Sequence, residues 1–371
     1  MKKLVLIFAV FAACAGLGFS APKMKKYTPD ENNVKLLGRT VCKNNIAVMA
    51  HSGTGVEFNV CAKKLTVTVV TDSWFRQSRI QAFFNGERVL DEMLKTNKKE
   101  FVIFDSDVNK EGVVQIIKVT ECTCANAGIE KISIDKDGTI SPTETKSLKI
   151  EFLGDSATAG FGVDEPDPHK DFTVETEDIS KTYAYKTAAA LDAEFSIICA
   201  SGWGVVYGGE SEKRKEQLIP DVYDKIGIFK DVSVGGLKPG ETKWDFSLFE
   251  PDVIVILLGA NDSFYAKEDP VRRNEFKNGY VEFIKLIREK NPDSHILCCI
   301  GLAPDTLYPE VEAAVSEYKL KTYDNNVSYF RIKLHDGKKE GYGAGYHPSE
   351  KAYENAAHQL VPQILNILVG E

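Results

Sequence analysis

The sequence predicts an α/β protein whose first part is all-β and whose second part is a doubly wound parallel sheet. Two observations support this prediction. Short strand-like runs separated by Asn-Gly, Asp and Gly fill residues 34–137, whereas strand-like and helical patterns alternate from residue 148 onwards. The chain has 371 residues, more than one hydrophobic core usually serves, so two domains are expected.

The N-terminal segment, residues 1–20, is predicted to be a secretory signal peptide that is cleaved after Ser20. Two lysines precede a short apolar segment, residues 4–17, and small residues flank the cleavage position. Cys14, which follows two alanines, is an alternative attachment point for a lipid anchor. The mature protein is therefore expected to be secreted or held at the cell surface. No later segment approaches the roughly 20 apolar residues that a transmembrane helix needs.

Residues 27–140 are predicted to form a β-sandwich or jelly-roll domain. The runs 65–70, 101–104 and 113–119 are rich in β-branched and aromatic residues, and Asn85-Gly86 is a turn signal between the first two runs. Short strands at regular spacing, with turn residues between them, are typical of all-β domains.

After a polar linker, residues 147–371 are predicted to form the domain with the parallel sheet. Apolar runs such as 253–258 indicate strands that are covered on both faces, and their alternation with helical patterns indicates parallel strands. The long Gly- and Lys-rich segment 205–243 is expected to be a functional loop or a lid. The predicted strands are 148–153, 195–200, 253–258, 295–300 and 328–333, and the predicted helices are 182–192, 271–290, 309–322 and 349–368.

Seven cysteines remain once the signal peptide is removed. Because this number is odd, they do not make a complete disulfide framework. Cys199, Cys298 and Cys299 lie in apolar strand-like runs and are predicted to be buried thiols. Cys122-Thr123-Cys124 has no matching His/Cys cluster nearby, so a zinc site is not expected there. One disulfide bridge is compatible with the four cysteines of the N-terminal part, Cys42, Cys61, Cys122 and Cys124.

Polar residues follow three of the predicted strands. The motifs Gly154-Asp155-Ser156, Ser201-Gly202-Trp203-Gly204 and Gly259-Ala260-Asn261-Asp262 each begin where a strand ends. The carboxyl ends of parallel strands meet at one edge of the sheet, where doubly wound proteins bind their ligands. We therefore expect the three motifs to form a site at that edge.

Ser156 is the candidate nucleophile of this site. A serine at a strand-to-helix turn exposes its hydroxyl, and its own amide N–H can face a developing oxyanion. The alternative is that this motif is only a turn with a helix N-cap. The amides of Ser156 and Gly204 and the carboxamide of Asn261 would together form a three-donor oxyanion hole. Asn261 would otherwise be a helix cap or a glycosylation acceptor, because residues 261–263 match the sequon.

His347 is the candidate general base. It precedes Pro348 and a helix with apolar periodicity, so it is predicted to be held at the mouth of that helix. A serine nucleophile needs a base, which favours a catalytic histidine over a structural one. His335, at the end of the last predicted strand, is the weaker competitor.

These motifs resemble those of SGNH/GDSL hydrolases. Ser156, Gly204, Asn261 and His347 occupy the positions of the four residues after which that superfamily is named. The resemblance implies a flavodoxin-like parallel sheet. It also implies ester hydrolysis by a serine and a histidine, without a metal or a cofactor.

Longer segments of the sequence are similar to those of carbohydrate esterase family 2. These segments are residues 154–162, 201–204, 244–246 and 347–349. That family places a jelly-roll domain before the SGNH domain, as is predicted here, so the resemblance covers almost the whole mature chain. It implies deacetylation of O-acetylated plant polysaccharides such as xylan or glucomannan. An acetylated polysaccharide or oligosaccharide is then the expected partner.

One position departs from the superfamily pattern. SGNH enzymes usually carry an acidic residue three positions before the histidine, and here that residue is Ala344. The imidazole tautomer must then be set by another group, either a backbone carbonyl or the carboxylate of Asp336. Since some members of the resembled family work as a Ser–His dyad, we predict a dyad of Ser156 and His347.

Aromatic residues beside the motifs are candidate contacts for a sugar ring, with core packing as the alternative. These candidates are Trp203, Phe264 and Tyr346. Trp74 and Trp244 are predicted to be structural instead.

Other classes of function remain as alternatives. The formal net charge of −8 argues against nucleic acid as a partner, because phosphate binding needs a basic surface. The missing acid at position 344 is compatible with a carbohydrate-binding protein on an esterase scaffold with weak or no catalysis. An esterase for O-acetylated peptidoglycan or for lipid would keep the chemistry and change the substrate, although the polar segment 205–243 does not favour lipid.

Overall fold

The computed structural model describes residues 24–73, 77–209 and 215–370. The predicted signal peptide, with the alternative lipidation site Cys14, lies outside the described residues, and so does Trp74. Within the described part of the chain, no helix is long and apolar enough to span a bilayer.

The first part of the chain forms an antiparallel β domain of ten connected strands. Seven of them follow the order β3-β4-β9-β5-β8-β6-β7, while β1 pairs with β9, and both β2 and β10 pair with β5. The predicted all-β domain is thus confirmed. The strands are β1 (Met24–Tyr27), β2 (Lys35–Leu37), β3 (Val41–Lys43), β4 (Ile46–Met49), β5 (Gly55–Thr71), β6 (Arg79–Phe84), β7 (Glu87–Met93), β8 (Lys98–Lys118), β9 (Ala127–Asp135) and β10 (Thr139–Pro142).

The longest strand of this domain differs from its prediction. The runs 101–104 and 113–119 were expected to be separate strands, but both fall in β8, which has 21 residues. The intervening polar residues are mostly exposed, so they lack the alternation that marks a half-buried strand. Asp105 and residues 110–112 nevertheless pair with β5, and the residues between them fall at the register shift between Ala62 and Lys64.

The second part of the chain forms a five-stranded parallel sheet with helices on both faces. Its strand order is β12-β11-β13-β14-β15, the flavodoxin-like order in which the chain changes direction beside β11. The predicted doubly wound sheet is confirmed, and each predicted strand lies within one residue of its observed position. The elements are β11 (Lys149–Gly154), α1 (Ser156–Ala159), α2 (Tyr183–Ala190), β12 (Glu194–Cys199), α3 (Ile219–Val222), β13 (Val253–Leu257), α4 (Ala260–Ala266), α5 (Pro270–Lys290), β14 (His295–Gly301), α6 (Tyr308–Thr322), β15 (Val327–Ile332), α7 (Gly337–Glu340) and α8 (Glu350–Val369).

The central strand β13 shows why its sequence is uninterruptedly apolar. Val253 and Val255 face the core that contains α2 and α8, whereas Ile254 and Ile256 face the core that contains α5 and α6. Successive side chains of a strand point to opposite faces, so a strand covered on both sides needs an apolar residue at every position.

A buried ion pair joins the two domains. Arg39 of the β domain and Glu151 of β11 are 3.3 Å apart at their closest atoms, and both side chains are almost fully buried. Ser196 and Tyr223 also donate hydrogen bonds to the Glu151 carboxylate, both at 2.9 Å. The carboxylate is therefore saturated by donors, as a charge in a domain interface must be.

The segment 205–243, expected to be a functional loop or lid, supplies part of the domain interface. Its side chains Ile226, Val234 and Leu237 are buried in one cluster with Val48 of the β domain and with Trp244. This packing confirms the structural interpretation of Trp244, and it anchors that part of the segment rather than leaving it free to close over a site.

The seven cysteines of the described residues are free thiols. The disulfide considered among Cys42, Cys61, Cys122 and Cys124 is therefore not formed. Cys199, Cys298 and Cys299 are buried as predicted.

Replacing Glu151 by Ala is expected to lower the free energy of unfolding by about 3–5 kcal/mol, because the guanidinium of Arg39 would stay buried without its charged partner. Urea unfolding followed by intrinsic fluorescence measures the change. The control is Asp105→Ala, which breaks a more exposed ion pair with Lys64 and should cost less than about 1 kcal/mol. Equal losses in the two variants would contradict the role given to the buried pair.

Candidate active site

Ser156 begins α1 directly after β11. The Asp155 carboxylate accepts the N–H of Ala157 at 3.0 Å and so caps the helix. Gly154 is required because a Cβ there would lie 1.9 Å from Oγ1 of Thr158. The N–H of Ser156 has no acceptor among the described residues, which leaves this amide available beside the hydroxyl.

His347 meets Ser156 across 191 positions of the chain. Its Nε2 lies 3.0 Å from Oγ of Ser156, and its Nδ1 lies 3.2 Å from the carbonyl oxygen of Ala344. A carbonyl can only accept, so Nδ1 carries the proton and donates, and Nε2 is left to accept the serine hydroxyl. This is the tautomer that a general base requires.

Asp336 does not take part in this arrangement. Its carboxylate accepts the N–H of Lys338 at the start of α7 and lies 3.2 Å from Nζ of Lys339. Of the two groups considered for orienting the imidazole, the structure places the backbone carbonyl of Ala344 at the ring and the carboxylate elsewhere.

The surroundings of His347 favour its neutral form. Burial is the main cause that lowers the pKa of the imidazole, and the neighbouring His335 lowers it further. The carbonyls of Ala344 and Gly345 oppose this shift. The ring of Phe161 covers His347 with their centroids 4.3 Å apart, which accounts for part of the lost hydration.

The space around Ala344 explains why no acid occupies this position. Its side chain is fully buried, and its N–H donates to the carbonyl of Gly162 at 3.0 Å. Gly162 has φ +66, and a Cβ at this position would lie 2.6 Å from Cβ of Ala344. The two segments are in such close contact that a carboxylate at 344 would be buried against the backbone of Gly162.

The second motif differs from its prediction, because the glycine at the cleft is Gly202. The N–H of Gly204 donates to the carbonyl of Gln217 at 3.3 Å, so it has an acceptor within the protein. Gly202 lines the cleft, and its N–H has no acceptor in the described part of the chain. Its φ of +80 and the open space around it fit a backbone amide that faces a ligand.

Asn261 lies beside the serine but is already hydrogen-bonded. Its Nδ2 donates to Asp155 at 3.0 Å and to the carbonyl of Trp203 at 2.9 Å. Burial, together with the nearby carboxylate of Asp262, raises the pKa of Asp155 to about 7. The two acceptors, Asp155 and the carbonyl of Trp203, fix the orientation of the Asn261 carboxamide at the border of the cleft.

Asp262 fixes the backbone after the second motif. Its carboxylate accepts the N–H groups of Val205, Val206 and Tyr207, at 3.0, 2.8 and 2.9 Å respectively. Burial raises the pKa of Asp262 to about 6, and these three amides oppose the shift. Sequence reasoning gave this residue no role, although it follows Asn261 in the same motif.

The serine and histidine open into a cleft of about 770 Å³. Phe264 and Tyr346, both predicted contacts, line this cleft and are 47% and 53% exposed. Trp203 was a third candidate, and for this residue the prediction was wrong. Its side chain is 9% exposed and packs in the core formed with α5 and α6.

Comparison with known proteins identifies the class. Residues 152–354 match the GDSL-like Lipase/Acylhydrolase family, and residues 36–143 match the Carbohydrate esterase 2 N-terminal family. The chain therefore belongs to the GDSL-like acylhydrolases and carries the N-terminal domain of carbohydrate esterase family 2.

Individual relatives are similar along most of the chain. Cellulase/esterase CelE of Acetivibrio thermocellus is 28% identical over 92% of this chain, which spans 40% of that protein's length. An acetylxylan esterase/glucomannan deacetylase of Cellvibrio japonicus is 22% identical over 91% of this chain and 89% of its own. A family two carbohydrate esterase from Clostridium thermocellum, solved in complex with cellohexaose, superposes with a TM-score of 0.77 at 26% identity, covering 90% of this chain and 99% of that one.

Replacing Ala344 by Asp should restore the superfamily's acid but destabilise the protein. The new carboxylate would be buried against Gly162 without a cation, so the free energy of unfolding should fall by about 3 kcal/mol or more. Thermal unfolding measures the effect, with Ala189→Asp on the exposed face of α2 as the control. An unchanged melting temperature for the Ala344 variant would show that the site accommodates the acid.

Proposed function

We propose that the protein is a secreted serine esterase that removes O-acetyl groups from plant cell-wall polysaccharides such as xylan and glucomannan. The observation that carries the proposal is the 3.0 Å contact between Oγ of Ser156 and Nε2 of His347 at the edge of an open cleft. The fixed tautomer of His347 makes the serine hydroxyl the donor in this contact, as nucleophilic catalysis needs.

In the first half of the reaction, His347 takes the hydroxyl proton while Oγ of Ser156 attacks the acetyl carbonyl carbon. The tetrahedral intermediate collapses when the imidazolium gives this proton to the departing sugar oxygen. The products of this half-reaction are a free sugar hydroxyl and an acetyl-serine. The carbonyl of Ala344 keeps the ring in place while it carries the proton.

The oxyanion of the intermediate is stabilised best by hydrogen-bond donors that have no other acceptor. The N–H groups of Ser156 and Gly202 meet this condition, and Gly202 therefore replaces the predicted Gly204. Asn261 would be a third donor by sharing one of its N–H groups between a protein acceptor and the oxyanion, as three-centre hydrogen bonds do.

In the second half of the reaction, water enters the position that the sugar leaves. His347 takes one proton from this water as its oxygen attacks the acetyl-serine carbonyl. Collapse of the second intermediate releases acetate and returns the proton to Oγ of Ser156.

The substrate class rests on the cleft and on the relatives. An open cleft bordered by the exposed rings of Phe264 and Tyr346 suits a polymer, because aromatic rings provide flat apolar faces for sugar rings. The relative from Cellvibrio japonicus is named an acetylxylan esterase/glucomannan deacetylase, which supports acetylated xylan or glucomannan as the substrate. The signal-like N-terminus is the basis for proposing secretion, with a lipid anchor at Cys14 as the alternative.

Replacing Ser156 by Ala should reduce acetate release at least about 10³-fold, since Ser156 is the serine whose hydroxyl is hydrogen-bonded to the base His347. Acetate is measured with 4-nitrophenyl acetate, acetylated xylan, acetylated glucomannan and O-acetylated peptidoglycan. The exposed Ser141→Ala variant is the control. Normal turnover in the Ser156 variant would refute the nucleophile assignment, and a preference for peptidoglycan or for long-chain esters would refute the substrate assignment.

A carbohydrate-binding protein without catalysis is the rival function. It would retain polysaccharide on an affinity gel while releasing no acetate in the same sample. The carbonyl of Ala344 removes the main argument for this alternative, because the imidazole is oriented although the acid is missing.

The pH dependence of kcat/KM should reflect the lowered pKa of His347. The base works when neutral, so activity should persist at pH about 6.5, the ordinary histidine value, and fall only at lower pH. Initial rates with 4-nitrophenyl acetate between pH 4.5 and 8 measure the acid limb. The variant His335→Gln removes a neighbour that depresses this pKa and should move the limb upward. A limb above pH 7 in the wild type would contradict the assignment.

A further inference from the structure

The turn that carries Gly202 is held from the other domain. Glu121 lies in the β domain just after β8, and its Oε2 accepts the N–H of Ser201 at 2.6 Å. Ser201 and Gly202 are the central residues of a turn in which the N–H of Trp203 donates to the carbonyl of Ala200 at 3.1 Å. The φ of +80 at Gly202 is typical of the third position of a type II turn.

Glu121 is itself fixed on every side. The hydroxyl of Thr123 donates to its second carboxylate oxygen. Its own N–H donates to Oε2 of Glu177 at 2.9 Å, and its carbonyl accepts Nζ of Lys118 at 3.0 Å. The side chain of Glu121 is 2% exposed, so its carboxylate is a rigid acceptor rather than a mobile surface group.

The charges around Glu121 are buried with it. Burial raises the pKa of Glu121, while its hydrogen bonds from Thr123 and Ser201 and the charge of Lys118 oppose the shift. The pKa of Glu177 lies well above its usual range, first through burial and then through the charge of Glu121. Burial thus raises the pKa of both carboxyl groups, and the hydroxyl and amide that donate to Glu121 oppose this shift.

We propose that Glu121 is a positioning residue for the oxyanion hole, an inference that rests on the proposed esterase function. By holding the N–H of Ser201, it sets the plane of the next peptide and so aims the N–H of Gly202 at the cleft before substrate arrives. Donors that need no reorganisation are the ones that stabilise an oxyanion well. The β domain is on this basis a part of the catalytic apparatus.

Two substitutions at one position separate this role from simple packing. Glu121→Gln keeps an oxygen for the N–H of Ser201 and places an amide beside the hydroxyl of Thr123. Glu121→Met keeps the volume and removes the acceptor. The Met variant should lose about 10- to 100-fold in kcat on 4-nitrophenyl acetate with KM within about threefold, and the Gln variant should stay within about threefold of wild-type kcat.

Gln81→Met is the matched control. Gln81 is a fully buried residue of β6 whose Nε2 donates to Asp178 of the second domain at 2.9 Å. It crosses the same interface and does not touch the turn within the described residues. Its replacement should lower the melting temperature as Glu121→Met does, yet leave kcat within about threefold of the wild-type value.

Hydrogen exchange provides a readout that does not depend on catalysis. The amides of residues 200–204 should exchange faster in Glu121→Met than in wild type or Gln81→Met. If wild-type protein releases no acetate, the proposed function fails, while this comparison still decides whether Glu121 holds the turn. Unchanged exchange in Glu121→Met would overturn the proposal.

The kinetic results decide the proposal as well. Equal kcat losses in the Met and Gln variants of Glu121, or an equal loss in Gln81→Met, would overturn it. If Glu121→Met does not fold, Glu121→Asp takes its place. That variant keeps the carboxyl group but shortens the reach by one methylene, so kcat should fall about tenfold, and an unchanged kcat would refute the positioning role.

Discussion

The site depends on the parallel pairing of β11 between β12 and β13. In this pairing Gly154, the last residue of β11, lies opposite Cys199 on one side and Leu257 on the other. Three strands therefore end at the same level, and the motifs that follow them meet without any further adjustment. A slip of one residue in either pairing would turn the side chains of the strand to the other face. The apolar cores on both sides of the sheet prevent such a slip.

The fold was predictable because its signals are local and repeated. The uninterrupted apolar run at 253–258 results from burial of a strand on both of its faces. The helical period of 349–368 results from burial of a helix on one face. The pairing of Ser156 with His347 was predictable for a related reason, since a serine after one strand and a histidine before the last helix meet once the sheet order is known. The strand β8 was misjudged because its middle residues have no core to cover.

The errors at the site have a different origin. The motif contains two glycines, and which of them borders the cleft depends on the hydrogen bond that Gly204 makes with Gln217, in a segment whose path has no periodicity. Trp203 points to the core for the same reason, because its neighbours in space come from α5 and α6. Glu121 was missed because it lies in the other domain, where no motif marks it. Contacts between distant segments decide these three positions, and a single sequence does not encode them visibly.

A carbonyl in place of a carboxylate beside His347 changes both the strength of the general base and the pH range in which it is neutral. A carboxylate stabilises the imidazolium through a full charge, whereas the carbonyl of Ala344 offers only a dipole. Burial and the ring of Phe161 further favour the neutral imidazole. The consequence is a base that is weaker than that of a triad but is present in the active form over a wider acid range. The orientation of the ring, which a triad owes to its acid, is here provided by the backbone.

The free thiols matter for how the protein resists oxidation outside the cell, where the proposed function places it. Five of the seven described cysteines are buried, and burial raises the pKa of the thiols of Cys122, Cys199 and Cys298, among others. A thiol reacts with oxidants as the thiolate and only where the oxidant can reach it. The folded chain therefore shields these five buried sulfur atoms, and this protection is lost whenever the chain unfolds. The resistance of these thiols to oxidation therefore depends on the stability of the folded state and not on disulfide bonds.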